Sequence, residues 1–82
     1  GQLAGSIRVT NCVGGQQFGK FIVFPSPRAD RNTVVFILDS DRPLSKSRTT
    51  FIGYCEGIAK FEIPGCPALP PFLLVTGAMP VP

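Results

Sequence analysis

The 82-residue chain contains no histidine and no tryptophan, and only 16% of its residues are charged. Without an imidazole, the chain itself cannot form a histidine-based catalytic triad, a histidine-containing zinc site or a histidine pH switch. No run approaches the roughly 18 consecutive apolar residues that a membrane span requires. We therefore expect a chain with no enzymatic activity, no cofactor, no metal and no membrane span.

Apolar residues are plentiful at 44%, so the composition predicts a folded chain and not a disordered one. Nine glycines and nine prolines separate short apolar runs, and no segment carries apolar residues at helical spacing. Many short strands between turn signals indicate an all-β fold. We expect residues 1–82 to form a single domain, a small antiparallel β-sandwich of six to seven strands. A small β-barrel is the alternative.

Six segments have the character of β-strands. The most hydrophobic, residues 33–38, does not alternate, which favours burial on both faces or a central position in a sheet. Residues 49–65 predict a hairpin whose turn is 55–57, because Gly57 can supply the positive φ of a three-residue loop. Four prolines make residues 64–71 a connection, and residues 77–82 are expected to be a tail. The predicted strands are residues 6–10, 18–24, 33–38, 49–54, 58–63 and 72–76.

The cysteines Cys12, Cys55 and Cys66 are odd in number, so at least one thiol is free or pairs outside the chain. A possible disulfide joins Cys55 and Cys66. They would lie at opposite ends of the strand predicted at 58–63, so the loop after it would have to fold back. Three free thiols, or a bridge from Cys12 to either of the others, are the alternatives.

Oxygen ligands for calcium are offered by Asp39 and Asp41, one residue apart at the end of a predicted strand. Calcium needs six to eight oxygens, and Arg42 and Pro43 follow directly. A turn stabilised by the Asp side chains is therefore the preferred interpretation. Ser45-Lys46-Ser47 could be a serine-lysine pair, but adjacent residues in a loop have no fixed catalytic geometry.

Two loops around residues 33–38 hold most of the positive charge, opposed there by three aspartates. Solvated loops that keep the domain soluble are the preferred interpretation. The alternative is a partner-binding surface, in particular an OB-type barrel for single-stranded nucleic acid, with Phe21, Phe51 or Tyr54 stacking on bases. The basic residues of this possible surface are Arg28, Arg31, Arg42, Lys46 and Arg48.

Two parts of the chain carry motifs of a known family. The opening Gly5-Ser6-Ile7-Arg8-Val9-Thr10, and the later Glu56-Gly57 turn followed by Phe61-Glu62-Ile63-Pro64-Gly65, resemble the carboxypeptidase regulatory-like domains. The resemblance covers about half the chain and departs from the family pattern at Gly19-Lys20 and at Phe72. It implies a transthyretin-like β-sandwich and a non-catalytic accessory module, with no shared catalytic residues to transfer.

These observations predict a non-enzymatic structural or protein-interaction module. It would be part of a larger surface protein, or a subunit of a larger assembly such as a capsid, with a protein partner or parent chain. Low charge and the apolar residues of 18–24 and 72–75, expected to be exposed, favour this role, and sheet edges can add a partner's strand. An extracellular or surface-associated location is favoured.

Overall fold

The computed structural model describes residues 6–9, 15–26, 28, 30–44 and 49–81. Among these residues there is no helix, and the predicted all-β class is confirmed. The strands are β1 (Ser6–Val9), β2 (Gln16–Phe18), β3 (Phe21–Phe24), β4 (Thr33–Leu38), β5 (Thr50–Ala59) and β6 (Phe72–Val81).

The six strands join one mixed sheet in the order β1-β5-β6-β4-β3-β2. Every neighbouring pair is antiparallel except β4 and β6, which run parallel. A sandwich has two sheets, whereas the described strands all belong to one. Residues 60–71 connect β5 to β6.

Both faces of this sheet are packed. We call the side that carries Phe36 the inner face and the side that carries Val35 the outer face. The two residues are neighbours in β4, and both are fully buried. This confirms the prediction that residues 33–38 lie in a buried central strand. The inner cluster consists of Ile22, Phe36, Leu38, Phe51, Val75 and Ala78. The outer cluster consists of Val23, Val35, Ile63 and Phe72.

The sheet curls around its inner cluster. Phe36 in β4 and Phe51 in β5 are separated by β6, yet their ring centroids lie 6.0 Å apart. In a flat sheet, positions two strands apart would be separated by roughly 10 Å. Strong curvature brings the two rings together, and the small side chain of Ala78 on the intervening strand leaves room for them.

The predicted hairpin at residues 49–65 is wrong, because β5 runs without interruption through its predicted turn. Cys55 pairs with Val75 and Gly57 pairs with Leu74, so Glu56 is the extra residue of a β-bulge. Gly57 does have a positive φ, 99°, but that conformation belongs to the bulge. The strand expected at 58–63 accordingly ends at Ala59.

A second bulge extends β6 into the region expected to be a tail. Ile52 pairs with Met79 and Tyr54 with Thr76, so Gly77 and Ala78 oppose the single residue Gly53. Gly77 accommodates this with a φ of 60°. The strand therefore continues to Val81, where residues 77–82 were predicted to be a tail.

The strand predicted at residues 18–24 is two strands. Phe18 pairs with Phe21 across the two-residue turn Gly19-Lys20, which reverses the chain between β2 and β3. Gly19 has a φ of 60°, as the first central residue of a type II′ turn requires.

Candidate interaction surface

An exposed apolar patch lies on the outer face of β5 and β6. Ile52 is paired with Met79, and Tyr54 is the next outward-facing residue of β5. Tyr54 and Met79 are 51% and 50% exposed, which is unusual for such large apolar side chains within a sheet. Together with Gly53 and Gly77 they line a shallow depression of about 360 Å³. We call Ile52, Tyr54 and Met79 the apolar patch.

The β6 bulge shapes this patch. A β-carbon on Gly53 would lie 2.6 Å from Val75 Cγ1 on the inner face, so a side chain at this point would force a neighbour to shift. A β-carbon on Gly77 would lie 3.6 Å from Tyr54 Cδ2, which places the aromatic ring beside this glycine. Gly77 thus leaves the Tyr54 ring uncovered on the outer face, whereas the missing side chain of Gly53 concerns the inner face, where Val75 lies.

Farther from the patch, the outer face is covered by the chain itself. Ile63 belongs to the outer cluster, and Cys66 and Leu69 pack against it, so residues 60–71 lie over β3, β4 and the start of β6. Residues 18–24 and 72–75, which were expected to be exposed, contribute Val23, Phe72 and other side chains to the two clusters. That part of the prediction is wrong, and the exposed apolar surface lies farther along β5 and β6.

A polar contact borders the apolar patch. The hydroxyl of Thr76, the residue paired with Tyr54, donates a hydrogen bond of 2.9 Å to Glu56 Oε1. Glu56 is the extra residue of the β5 bulge, and the bulge directs its side chain to this partner. The contact holds a half-buried carboxylate at the edge of the patch.

Met79 also lines a second depression, of about 380 Å³, where β6 extends beyond the end of β4. Its other wall is the chain that follows β4, and Arg42 and Asp39 contribute charged groups. Leu44 in this segment packs against the inner cluster. The apolar patch and this depression therefore meet at one methionine.

The three predicted basic residues that the structure describes do not lie together. Arg28 and Arg31 precede β4 and Arg42 follows it, so a strand of six residues, about 20 Å at roughly 3.3 Å each, separates them. Lys46 and Arg48 lie outside the described residues.

Two of the three aromatic rings predicted to stack on bases are not free to do so. Phe51 is fully buried. Phe21 packs against the outer cluster and contacts the Phe61 ring at 6.1 Å. Of these three rings, Tyr54 alone is exposed, and base stacking requires an exposed ring.

The thiols of Cys55 and Cys66 are both free. Cys55 is paired with Val75 of the inner cluster, whereas Cys66 packs against the outer cluster. The two residues therefore lie on opposite faces of the sheet, and the possible disulfide between them is not formed. Cys12 lies outside the described residues.

The turn after β4 uses a serine and not the predicted aspartates. Ser40 Oγ accepts a hydrogen bond of 3.2 Å from the Arg42 backbone N–H. Within the described ranges, no group of three or more potential metal-binding side chains is assembled, at Asp39 and Asp41 or elsewhere. The same ranges contain no helix suited to crossing a membrane. Ser45-Lys46-Ser47 lies outside them.

Comparison of the chain with protein-family models, with curated proteins and with solved structures finds no match. The residues of the apolar patch must therefore be interpreted from the geometry itself. Of the three, only Tyr54 was singled out from the sequence. Ile52 could have been found from its alternation with Phe51 in a strand, but Met79 lies beyond Gly77, where the strand was expected to have ended.

Proposed function

We propose that this chain is a non-enzymatic β-module that works through protein contacts, either within a larger surface protein or as a subunit of a larger assembly. The observation that carries the proposal is the apolar patch. Tyr54 and Met79 are half exposed beside Ile52 on two paired strands of the sheet. Contiguous exposed apolar groups of this kind mark sites of protein association.

The composition of the patch suits such a contact. Tyrosine and methionine are enriched at the centres of protein interfaces, where charged residues are depleted. Among the described side chains, those that line the depression between Tyr54 and Met79 carry no charge. Because the patch lies on paired strands, its binding would cost little ordering of the backbone.

The sandwich architecture and the likeness to carboxypeptidase regulatory-like domains remain part of this proposal. Residues 60–71 cover the outer face where a second sheet would pack, and a partner seated on the apolar patch would extend that layer over β5 and β6. In this arrangement the module supplies one half of a two-layer structure.

A non-catalytic role fits the chemistry of the described carboxylates. Glu56 accepts the hydroxyl hydrogen of Thr76 and borders an apolar surface, which is a structural arrangement. The absence of histidine from the sequence removes the commonest general base.

A dilution series followed by NMR tests this proposal. In a solution of the isolated chain, the available partner is a second copy of the chain, and raising the concentration favours binding to it. We expect the amide signals of Ile52, Tyr54 and Met79 to shift as the protein concentration rises toward about 1 mM, the range of weak association. Signals around Ile58, an exposed residue paired with Leu73 and hence on the inner face, serve as the internal control.

Two outcomes would contradict the proposal. If no signal shifts across the series, the apolar patch does not bind a second copy, and the form of the proposal in which copies of this chain assemble through it is contradicted. If the residues around Ile58 shift and those of the patch do not, association uses the other face of the sheet.

A further inference from the structure

Residues 39–44 leave the end of β4 and pass over the inner cluster, and we call them the strap. One side chain of the strap, Leu44, packs against that cluster. The other strap residues from 39 to 43 are exposed. The strap also forms one wall of the 380 Å³ depression whose opposite wall is the end of β6.

The side chain of Gln17 in β2 holds the strap. Gln17 Nε2 donates to the backbone oxygen of Arg42 at 3.0 Å, and the Leu44 backbone N–H donates to Gln17 Oε1 at 3.0 Å. The carboxamide thus pairs with the strap as a peptide group of a neighbouring strand would. A third bond, from Nε2 to the oxygen of Gly19 at 2.9 Å, fixes the carboxamide on its own turn.

This attachment is weak compared with the rest of the fold. Segments with few buried apolar contacts and solvent-exposed hydrogen bonds open locally at a much lower free energy than the core. The strap has one half-buried apolar side chain, and its bonds to Gln17 lie at or near the surface. Beneath it, by contrast, Phe36 and Phe51 are fully buried.

We propose that the strap opens and closes over the inner cluster at this end of the sheet, and that the Gln17 carboxamide is its latch. Opening breaks the two bonds to Arg42 and Leu44, lifts Leu44 from the inner cluster and widens the depression beside Met79. The strands of the sheet keep their pairing throughout. This inference does not depend on the apolar patch being an interaction surface.

Native-state hydrogen exchange tests the latch, because the Leu44 amide hydrogen is bonded to Gln17 itself. In a Gln17→Leu variant, we expect that amide to exchange about tenfold faster, since one hydrogen bond contributes roughly that factor. The amides of Val35 and Phe36, in the centre of β4, should keep the rates that the variant's global stability dictates. The matched control is Gln16→Leu, which changes an exposed neighbour that makes none of these bonds and should leave the Leu44 rate unchanged.

An unchanged Leu44 rate in the Gln17→Leu variant would overturn the proposal. So would an equal acceleration at Leu44, Val35 and Phe36, because Gln17 would then support the whole sheet and not the strap. A Gln17→Leu variant that fails to fold would overturn it for the same reason. A Gln17→Glu variant adds a graded check: it keeps the acceptor for the Leu44 N–H but loses the donor to Arg42. We expect it to exchange Leu44 at a rate between those of the native chain and Gln17→Leu.

Discussion

A β-carbon on Gly53 would lie 3.0 Å from the backbone oxygen of Thr76, so β5 approaches β6 at this point more closely than in nearly all contacts that a real β-carbon makes. The same atom would lie 3.3 Å from Ala78 Cα, and both of these neighbours are backbone atoms that cannot rotate away. The close approach is the counterpart of the bulge at Gly77, which places two residues of β6 opposite one of β5.

We expect Gly53→Ala to lower the free energy of unfolding by about 1–3 kcal/mol, the usual cost of adding a methyl group to a packed site. Urea denaturation measures the change. A Gly53→Ala variant with an unchanged or raised midpoint would show that the two strands are not in this close contact.

The two aromatic groups on opposite faces of the sheet should differ in their contribution to stability. Phe36 is fully buried and contacts the rings of Phe24 at 5.6 Å and Phe51 at 6.0 Å. Phe61 contacts the Phe72 ring at 5.1 Å but is 40% exposed. We expect Phe36→Ala to cost about 3–5 kcal/mol in the free energy of unfolding.

The Phe61→Ala variant is the matched comparison, and it should cost clearly less because solvent already reaches that ring. Chemical denaturation of both variants checks the order. Equal losses, or a larger loss for Phe61→Ala, would mean that the inner cluster is not the main core.

The hydrogen bond between Thr76 and Glu56 should be measurable as a coupling energy. A double-mutant cycle with Thr76→Val and Glu56→Ala is expected to give about 1 kcal/mol, the typical net value of one hydrogen bond. Glu56→Gln keeps an acceptor oxygen and should retain part of the coupling. A coupling energy near zero would mean that the two side chains do not interact in solution.

The positions of Cys55 and Cys66 on opposite faces of the sheet predict that they do not bridge. Alkylation of the unfolded, unreduced protein followed by peptide mapping should find neither residue linked to the other. A recovered peptide pair joined through Cys55 and Cys66 would contradict the register of β5 and β6, because the intervening sheet keeps the two thiols apart.

The central strand was predictable because its signal is local. Residues 33–38 do not alternate between polar and apolar, so a strand there can bury its apolar side chains only if both faces of the sheet are covered. Its bounds in the structure are the same as those predicted. The turn at Gly19-Lys20 was not predicted, because apolar residues lie directly before and after it. Their continuity indicates one strand, where the structure has two strands of a hairpin.

The path of β5 was not predictable from its own residues. A glycine with positive φ serves a hairpin turn and a β-bulge equally well, and the partner strand decides between them. For Gly57 that partner is β6. The second half of β6 was itself not predicted, because Gly77 and Pro80 indicate the end of a strand. Met79 lies beyond the bulge at Gly77 and so could not be selected beforehand, whereas Ile52 and Tyr54 belong to a strand that the sequence does predict.

Sedimentation equilibrium of the native chain beside two single variants tests the central claim most directly. Tyr54→Lys places a charge in the apolar patch, and Ile58→Lys places the same charge on a similarly exposed residue of the opposite face. The form of the proposed function in which copies of this chain assemble through the patch predicts that the native chain and Ile58→Lys associate as the concentration rises, whereas Tyr54→Lys stays monomeric. A native chain that remains monomeric at every concentration, or loss of association in Ile58→Lys alone, would contradict it.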